Sequence, residues 1–265
     1  MKQIPNLFTL VNLFLGCIAV VYALQSGLTP VFESNGMPQT DYRGSQYINI
    51  PGQIWLASLF IGLAAVVDFL DGFLARAMKA SSEMGKQLDS LADVVSFGVA
   101  PGIIVYQFLK LSFAQQENGL NTPMALLVPA FLIPCAAAYR LARFNLDTEQ
   151  THSFKGVPVP AAGLLIGSFP LIYWYASSET LVKVLLSQWF WYGIIALVSY
   201  LMVSTLPMQS LKFKNFTLKD NMPKLILLVI ALAAAFLFGW LAVPVVFIAY
   251  VVLSLALNNN NKPTT

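Results

Sequence analysis

The chain alternates long apolar stretches with short polar ones. Eight apolar runs can be read along it, each near the roughly 20 residues that cross a bilayer as a helix. Their ranges are 8–26, 54–77, 87–109, 124–144, 159–177, 185–205, 223–240 and 242–257. The pattern therefore predicts an all-α integral membrane protein with eight transmembrane helices.

The polar segments divide these helices into a core and a C-terminal extension. A segment at about 28–52 collects Pro, Gly, Ser and Asn, which is typical of a loop outside the membrane. A basic connection at 206–222 precedes two helices with almost no polar side chains. We therefore predict a six-helix functional core at 1–205, two additional transmembrane helices within 206–257, and a disordered tail at 258–265.

Composition and charge agree with a membrane protein and predict its orientation. The chain is 57% hydrophobic and 10% charged, with a mean hydropathy of +0.70, whereas an average soluble domain has roughly 25% charged residues. Cytoplasmic loops carry an excess of Lys and Arg. Of the 15 Lys and Arg residues, only Arg43, Lys110 and Lys183 fall on one side under the eight-helix interpretation. This skew predicts that both termini lie in the cytoplasm, and no pattern suggests nucleic-acid binding.

Two polar stripes lie on either side of the short connection between the second and third helices. At 3.6 residues per turn, the members of each stripe share one helix face. The first stripe contains Asp68, Asp71, Gly72, Ala75 and Arg76, and the second contains Gly85, Asp89 and Asp93. Because the connection is short and cytoplasmic, the two stripes are expected to face each other at that end of the helices.

Four carboxylates in this position need a compensating partner. Each ionised carboxylate near the bilayer interior costs roughly 2.5 to 3.5 kcal/mol, and neighbouring carboxylates repel unless protons or cations neutralise them. Ligands that are all oxygen favour hard divalent ions such as Mg²⁺, Mn²⁺ or Ca²⁺, and four carboxylates on two helices suit two metals.

Gly72 and Ala75 leave a gap beside the four carboxylates, and Arg76 offers a bidentate donor for phosphate. A plain small-residue helix contact would explain Gly72 and Ala75 but not the aspartates.

The spacing D-x2-D-G-x2-A-R-x8-G-x3-D-x3-D over residues 68–93 resembles the signature of the CDP-alcohol phosphatidyltransferase family. The resemblance implies a six-helix catalytic core, often dimeric, with its site at the cytoplasmic face of the inner membrane. It also implies that the phosphatidyl group of a CDP-linked lipid is transferred to an alcohol, with release of CMP. The expected cofactors are two divalent cations, Mg²⁺ or Mn²⁺, and the expected assembly is a homodimer.

The resemblance also implies a role for each matching residue. Asp68 and Asp89 would bridge two metals, with Asp71 on the first and Asp93 on the second. Asp93 would also act as the general base that removes the alcohol proton. The residues expected to contact CDP-diacylglycerol are Gly72, Ala75, Arg76, Ser82, Gly85, Asn6 and Thr9. Asn6 and Thr9 belong to a Pro-Asn-x-x-Thr segment that lies near the nucleotide in this family, although they would equally suit hydrogen bonding between helices.

The acceptor alcohol is predicted from two further segments. Residues 139–145 (YRLARFN) and 154–163 (FKGVPVPAAG) resemble segments of the prokaryotic phosphatidylserine synthases within that family, which implies L-serine as the acceptor. Arg140, Arg143 and Lys155 form a basic cluster that could bind the serine carboxylate, with Asn145 as a supporting donor. Glycerol 3-phosphate or inositol phosphate would also require cations, and the same residues could simply set topology.

A second class of protein also places aspartates in membrane helices. A divalent-cation or proton-coupled transporter would do so, but it would more often show broken helices near the midplane and repeated halves. Membrane prenyltransferases use two acidic motifs far apart in sequence, whereas all four carboxylates here lie within residues 68–93. Release of CMP distinguishes the transferase from the transporter.

Overall fold

The computed structural model describes residues 4–25, 53–78, 82–116, 121–147, 154–209 and 218–259. Helices form nearly all of this part of the chain. They are α1 (Ile4–Leu24), α2 (Ile54–Ala77), α3 (Glu83–Asp93), α4 (Ala100–Ala114), α5 (Met124–Leu127), α6 (Leu132–Leu146), α7 (Val159–Trp174), α8 (Glu179–Leu185), α9 (Gln188–Val203), α10 (Leu218–Phe238) and α11 (Ala242–Asn259). Two short strands, β1 (Phe154–Lys155) and β2 (Pro207–Met208), pair antiparallel.

The all-α membrane fold is confirmed by the length and composition of the helices. Among the described residues, five stretches are long and apolar enough to cross a membrane, and a sixth is added if the bent pair of α8 and α9 counts as one span. The five are Pro5–Leu24, Ile54–Ala77, Glu83–Ala114, Met124–Leu146 and Lys224–Ala256. Helix α7 is apolar but shorter. The number of eight crossings stays a prediction.

Several predicted boundaries differ from those in the structure. Helix α1 begins at Ile4, earlier than the apolar pattern indicates, and Pro5 is tolerated because a first-turn residue needs no N–H partner. The predicted helix at 185–205 corresponds to α9, and a bend of 63° at its start separates α9 from α8. Trp191 Nε1 donates to the carbonyl of Leu185 at 2.7 Å across this bend. Helix α11 continues to Asn259, two residues into the predicted tail, whereas the predicted loop at 28–52 lies outside the described residues.

A π-helical segment, Val94–Val99, connects α3 to α4 and begins directly after Asp93. Small residues let the neighbouring helices approach it closely. A Cβ atom on Gly163 of α7 would lie 2.6 Å from the Cβ of Phe97, and one on Gly16 of α1 would collide with Ser96. Ser96 Oγ donates to the backbone carbonyl of Asn12 at 3.0 Å. Helix α1 is therefore packed tightly against the segment that follows Asp93.

The two C-terminal helices pack on the rest of the protein through α11. Helix α11 contacts α7 and β2, and it also contacts α10. Phe247 and Tyr250 of α11 join the hydrophobic core. In contrast, α10 leaves large apolar side chains such as Leu232 and Phe236 exposed, as expected for a surface that faces lipid.

Candidate active site

Four aspartates from α2 and α3 meet at one end of the helices. Carboxylate oxygens of Asp68, Asp71 and Asp89 all lie within 4.8 Å of one another. Asp93 follows Asp89 by one helical turn and is buried. The i, i+3 and i, i+4 spacing of the two stripes thus brings three carboxylates together and puts Asp93 on the face of α3 that carries Asp89.

The arrangement of the three clustered carboxylates fits a divalent cation. Ionised carboxylates that lie this close repel one another unless protons or cations neutralise them. A divalent cation would remove that repulsion. Oxygen ligands lie about 2.0 to 2.6 Å from Mg²⁺ or Ca²⁺, so two ligands on opposite sides of an ion are about 4 to 5 Å apart. The carboxylate oxygens of Asp68, Asp71 and Asp89 lie within 4.8 Å of one another, so they are close enough to bind one ion.

Helix α1 supplies hydrogen-bond donors to two of the aspartates. Thr9 Oγ1 donates to Asp71 Oδ2 at 2.8 Å, and Asn12 Nδ2 donates to Asp93 Oδ1 at 3.4 Å. Thr9, Asn12, Asp71 and Asp93 are all buried. These contacts fix the orientation of one carboxylate on α2 and one on α3. Thr9 was predicted to contact the CDP-linked lipid, whereas the described contact is with an aspartate. Asn12 was not among the predicted site residues, although it lies one turn after Thr9.

Asn6, Ser82 and Gly85 meet at the start of α3. Ser82 is the N-cap residue, and its hydroxyl accepts the N–H of Gly85 at 3.0 Å. A Cβ atom on Gly85 would lie 2.9 Å from Asn6 Oδ1. Glycine at this position therefore permits the close approach of α1 and α3. The expected contact of these three residues with CDP-diacylglycerol stays a prediction.

The glycine of the first stripe has few close neighbours among the described residues. Within that part of the chain, a Cβ atom on Gly72 would have one heavy atom within 4 Å, Arg76 Nη1 at 3.8 Å. Arg76 is exposed, and Ala75 between them is partly exposed. As far as the described residues show, a ligand could therefore approach the backbone of α2 on the side that carries Gly72 and Arg76.

The four predicted serine-binding residues lie in different environments. Arg140 is buried, and its Nε has no hydrogen-bond partner among the described residues. Lys155 Nζ, in contrast, forms an ion pair with Asp147 at 2.9 Å.

Arg143 and Asn145 are used in contacts within the protein. Arg143 donates from Nη1 to the carbonyl of Val203 at 2.7 Å and from Nη2 to the carbonyl of Ser204 at 2.8 Å. Asn145 Nδ2 donates to Ser90 Oγ at 2.8 Å. These bonds join α6 to the end of α9 and to α3. Of the four residues, Arg140 is the one whose buried donor lacks a described partner.

We expect Thr9→Val to weaken metal binding because Asp71 loses the donor that orients it. Residues that orient metal ligands typically contribute about 10-fold to 100-fold in affinity or activity. The Mn²⁺ concentration for half-maximal turnover and for half-maximal thermal stabilisation should rise by about that factor. Thr9→Ser, which retains the hydroxyl, is the matched control and should behave like the wild type. Equal Mn²⁺ dependence in all three proteins would exclude this role.

The sequence is similar to those of known proteins over most of its length. The sequence profile described as CDP-alcohol phosphatidyltransferase matches residues 2–201. This match ends within α9, before β2, α10 and α11. The CDP-diacylglycerol–serine O-phosphatidyltransferase of Helicobacter pylori (strain J99) is 31% identical over 88% of this chain and 81% of its own length. The Bacillus subtilis protein of the same name is 37% identical over 42% of this chain and 57% of its own. The archaetidylserine synthase of Methanothermobacter thermautotrophicus is 37% identical over 49% of this chain and 52% of its own.

Proposed function

Because the chain belongs to the CDP-alcohol phosphatidyltransferase family, we propose that it transfers the phosphatidyl group of CDP-diacylglycerol to the hydroxyl of L-serine. The products are phosphatidylserine and CMP. The observation that carries this proposal is the meeting of Asp68, Asp71 and Asp89 within 4.8 Å, beside an open face at Gly72. The names of the relatives support serine as the acceptor.

The CDP-linked lipid binds on the open face of α2. In the proposed arrangement, Asp68 and Asp89, together with Asp71 and Asp93, would hold the divalent cations, Mg²⁺ or Mn²⁺. When bound, such cations neutralise the diphosphate and stabilise the CMP leaving group. Arg76, which is exposed at the end of α2, donates to a phosphate oxygen.

Asp93 removes the proton from the serine hydroxyl. The serine oxygen then forms a bond to the lipid-linked phosphorus, and the bond from that phosphorus to the oxygen of CMP breaks. One carboxylate oxygen of Asp93 accepts the amide of Asn12, which leaves the other oxygen to face the hydroxyl. A positioned base within hydrogen-bonding distance of its proton is the geometry that general-base catalysis requires. This single displacement needs no covalent intermediate with the enzyme.

Arg140 binds the carboxylate of serine in this proposal. A buried donor without a partner is costly, and a bound carboxylate would satisfy the Nε of Arg140. Helix α6, which carries Arg140, contacts α3 and the π-helical segment that begins after Asp93, which supports an acceptor bound between Arg140 and the proposed base. Arg143, Lys155 and Asn145 have partners within the protein. We therefore propose that they hold the segments around the bound acceptor in place.

The proposed reaction takes place at the cytoplasmic face of the inner membrane. Arg76 and Lys86 flank the connection between the two aspartate-bearing helices, and Lys86 Nζ donates to the carbonyl of Asn145 near the end of α6 at 3.1 Å. Arg140, Arg143 and Lys155 lie in or just after that end of α6, and the positive-inside rule assigns such a group of cations to the cytoplasm. Both termini are assigned to the same side. The family resemblance further supports a homodimer.

The acceptor and the reaction are tested together by supplying CDP-diacylglycerol with serine, glycerol 3-phosphate, inositol or inositol phosphate. We expect one CMP released per phosphatidylserine formed, and turnover only with serine. Turnover with another acceptor would show that serine is not the substrate, but it would leave the proposed phosphatidyl transfer and release of CMP unchanged. Divalent-cation or proton flux through proteoliposomes without CMP release would overturn the proposal in favour of a transporter.

A further inference from the structure

Ser96 of the π-helical segment bonds to the same residue of α1 as Asp93 does. Asn12 Nδ2 donates to Asp93 Oδ1 at 3.4 Å, and Ser96 Oγ donates to the backbone carbonyl of Asn12 at 3.0 Å. Ser96 follows Asp93 by three residues, in the π-helical segment that begins directly after Asp93. Asn12 is therefore held at its backbone by Ser96 and at its side chain by Asp93.

The bond between Ser96 and Asn12 lies in the interior of the protein. Asn12 and Ser96 are fully buried, and Asp93 is 6% exposed. The carbonyl of Asn12 can accept the serine hydroxyl in addition to a helical N–H, because a carbonyl oxygen has two lone pairs. A buried hydroxyl that lost its acceptor would be left unsatisfied, which is costly. This bond therefore resists displacement of α1 from the π-helical segment.

The contact between Asn12 and Asp93 depends closely on the position of α1. Its donor–acceptor distance of 3.4 Å is longer than the roughly 2.7 to 3.2 Å that is usual for such bonds. A small further movement of α1 away from Asp93 would break it. The bond from Ser96 to Asn12, at 3.0 Å, has the usual length and is the firmer constraint on Asn12.

Gly16 allows α1 to come close enough for these bonds. It lies one turn after Asn12 on α1. A Cβ atom on Gly16 would collide with Ser96 Oγ and would lie 2.8 Å from Ser96 Cα. The Cα is a backbone atom, so it cannot rotate away as the hydroxyl could. A larger side chain at residue 16 would therefore push α1 away from Ser96, and Asn12 would move with it.

We propose that Ser96 is a positioning residue for Asp93. By holding the backbone of Asn12, it keeps the Asn12 amide on one carboxylate oxygen of Asp93 and leaves the other oxygen directed at the acceptor hydroxyl. The π-helical geometry fits this role, since such turns occur frequently at functional sites. This inference rests on the proposed function because it takes Asp93 as the general base.

The test compares Ser96→Ala with Ser112→Ala. Both serines are buried, and Ser112 Oγ also donates to a backbone carbonyl, that of Phe108, but within its own helix α4. We expect Ser96→Ala to lower kcat about 3-fold to 10-fold, the range that corresponds to one hydrogen bond, whereas Ser112→Ala should keep the wild-type kcat. The KM for serine and the KM for CDP-diacylglycerol should each change by less than about 2-fold, because a misoriented base slows the chemical step without removing a binding contact.

A double-mutant cycle shows whether Ser96 acts through Asn12. In an Asn12→Ala protein, adding Ser96→Ala should not lower kcat further, since the amide that Ser96 positions is gone. Independent losses that multiply in the double variant would overturn the inference. A wild-type kcat in Ser96→Ala, an equal loss in Ser112→Ala, or a loss of activity that lies in KM alone would also overturn it.

Gly16→Ala gives a second test, which decides the question if Ser96→Ala does not fold. The added Cβ atom should displace α1 from Ser96 and lower kcat by about 10-fold or more, because small misplacements of a catalytic group are costly. Gly62→Ala on α2 is the matched control, since a Cβ atom there would have no heavy atom within 4 Å among the described residues. Equal kcat values in both variants and the wild type would contradict the proposed role of Ser96.

The wild-type reaction distinguishes this inference from the proposed function. Wild-type protein that forms phosphatidylserine while Ser96→Ala keeps a normal kcat would refute the inference alone. Wild-type protein that releases no CMP with any of the four acceptors would refute both.

Discussion

Asp68→Asn and Asp89→Asn should each abolish the release of CMP from CDP-diacylglycerol and serine, and excess Mg²⁺ or Mn²⁺ should not restore it. The two carboxyl groups belong to the cluster whose oxygens lie within 4.8 Å of one another. Asparagine keeps the shape of the side chain but removes one negative charge and a carboxylate ligand. Hard divalent ions depend on such ligands.

Two measurements check this result. A chelator should stop turnover of the wild-type protein, and Mn²⁺ should raise the melting temperature of the wild type but not of either variant. Glu83→Gln is the matched control, because Glu83 is an exposed carboxylate at the start of α3 and should be dispensable. Undiminished turnover in the chelator would contradict a metal-dependent mechanism.

Asp93→Asn should reduce kcat by roughly 10²-fold or more, which is the usual contribution of a general base. The asparagine amide cannot accept the serine proton, although it fills the same buried position beside Asn12. Binding of CDP-diacylglycerol should persist because Arg76 and the other three aspartates remain. The measurement is kcat with serine together with the affinity for CDP-diacylglycerol.

The metal dependence of this variant identifies which role is lost. An unchanged Mn²⁺ concentration for half-maximal turnover assigns the loss to proton transfer, whereas a large rise assigns it to metal binding. Asn12→Ala is a milder companion change, since it removes only the amide that contacts Asp93 at 3.4 Å. Near-normal turnover of Asp93→Asn would place the base on another residue.

The position of the four aspartates could be predicted from local sequence alone. Helical periodicity puts Asp68 with Asp71 and Asp89 with Asp93 on single faces, and the short connection between α2 and α3 limits how far apart those faces can be. The apolar runs similarly indicated the all-α membrane fold, because the length and hydropathy of a helix are properties of one continuous segment. Neither prediction depends on contacts between distant parts of the chain.

The roles of the basic residues could not be predicted in this way. From the sequence alone, nothing distinguished Arg140, Arg143 and Lys155, because all three are cations in neighbouring segments. The structure separates them, because Arg143 bonds to carbonyls at the end of α9 and Lys155 pairs with Asp147. Arg140 is buried, and its Nε has no hydrogen-bond partner in the described part of the chain. The charge of a residue is a local property, but its partners belong to other segments.

The sequence by itself determined which segments are helical and which carboxylates share a face, since both follow from spacing within one helix. Only the tertiary structure decided that Thr9 of α1 orients Asp71, 62 residues away, and that Tyr250 of α11 holds Gln209. These contacts depend on how helices pack against one another. That packing is set by close approaches such as the one between Gly163 and Phe97, and no periodicity within a single segment specifies which distant residues will meet.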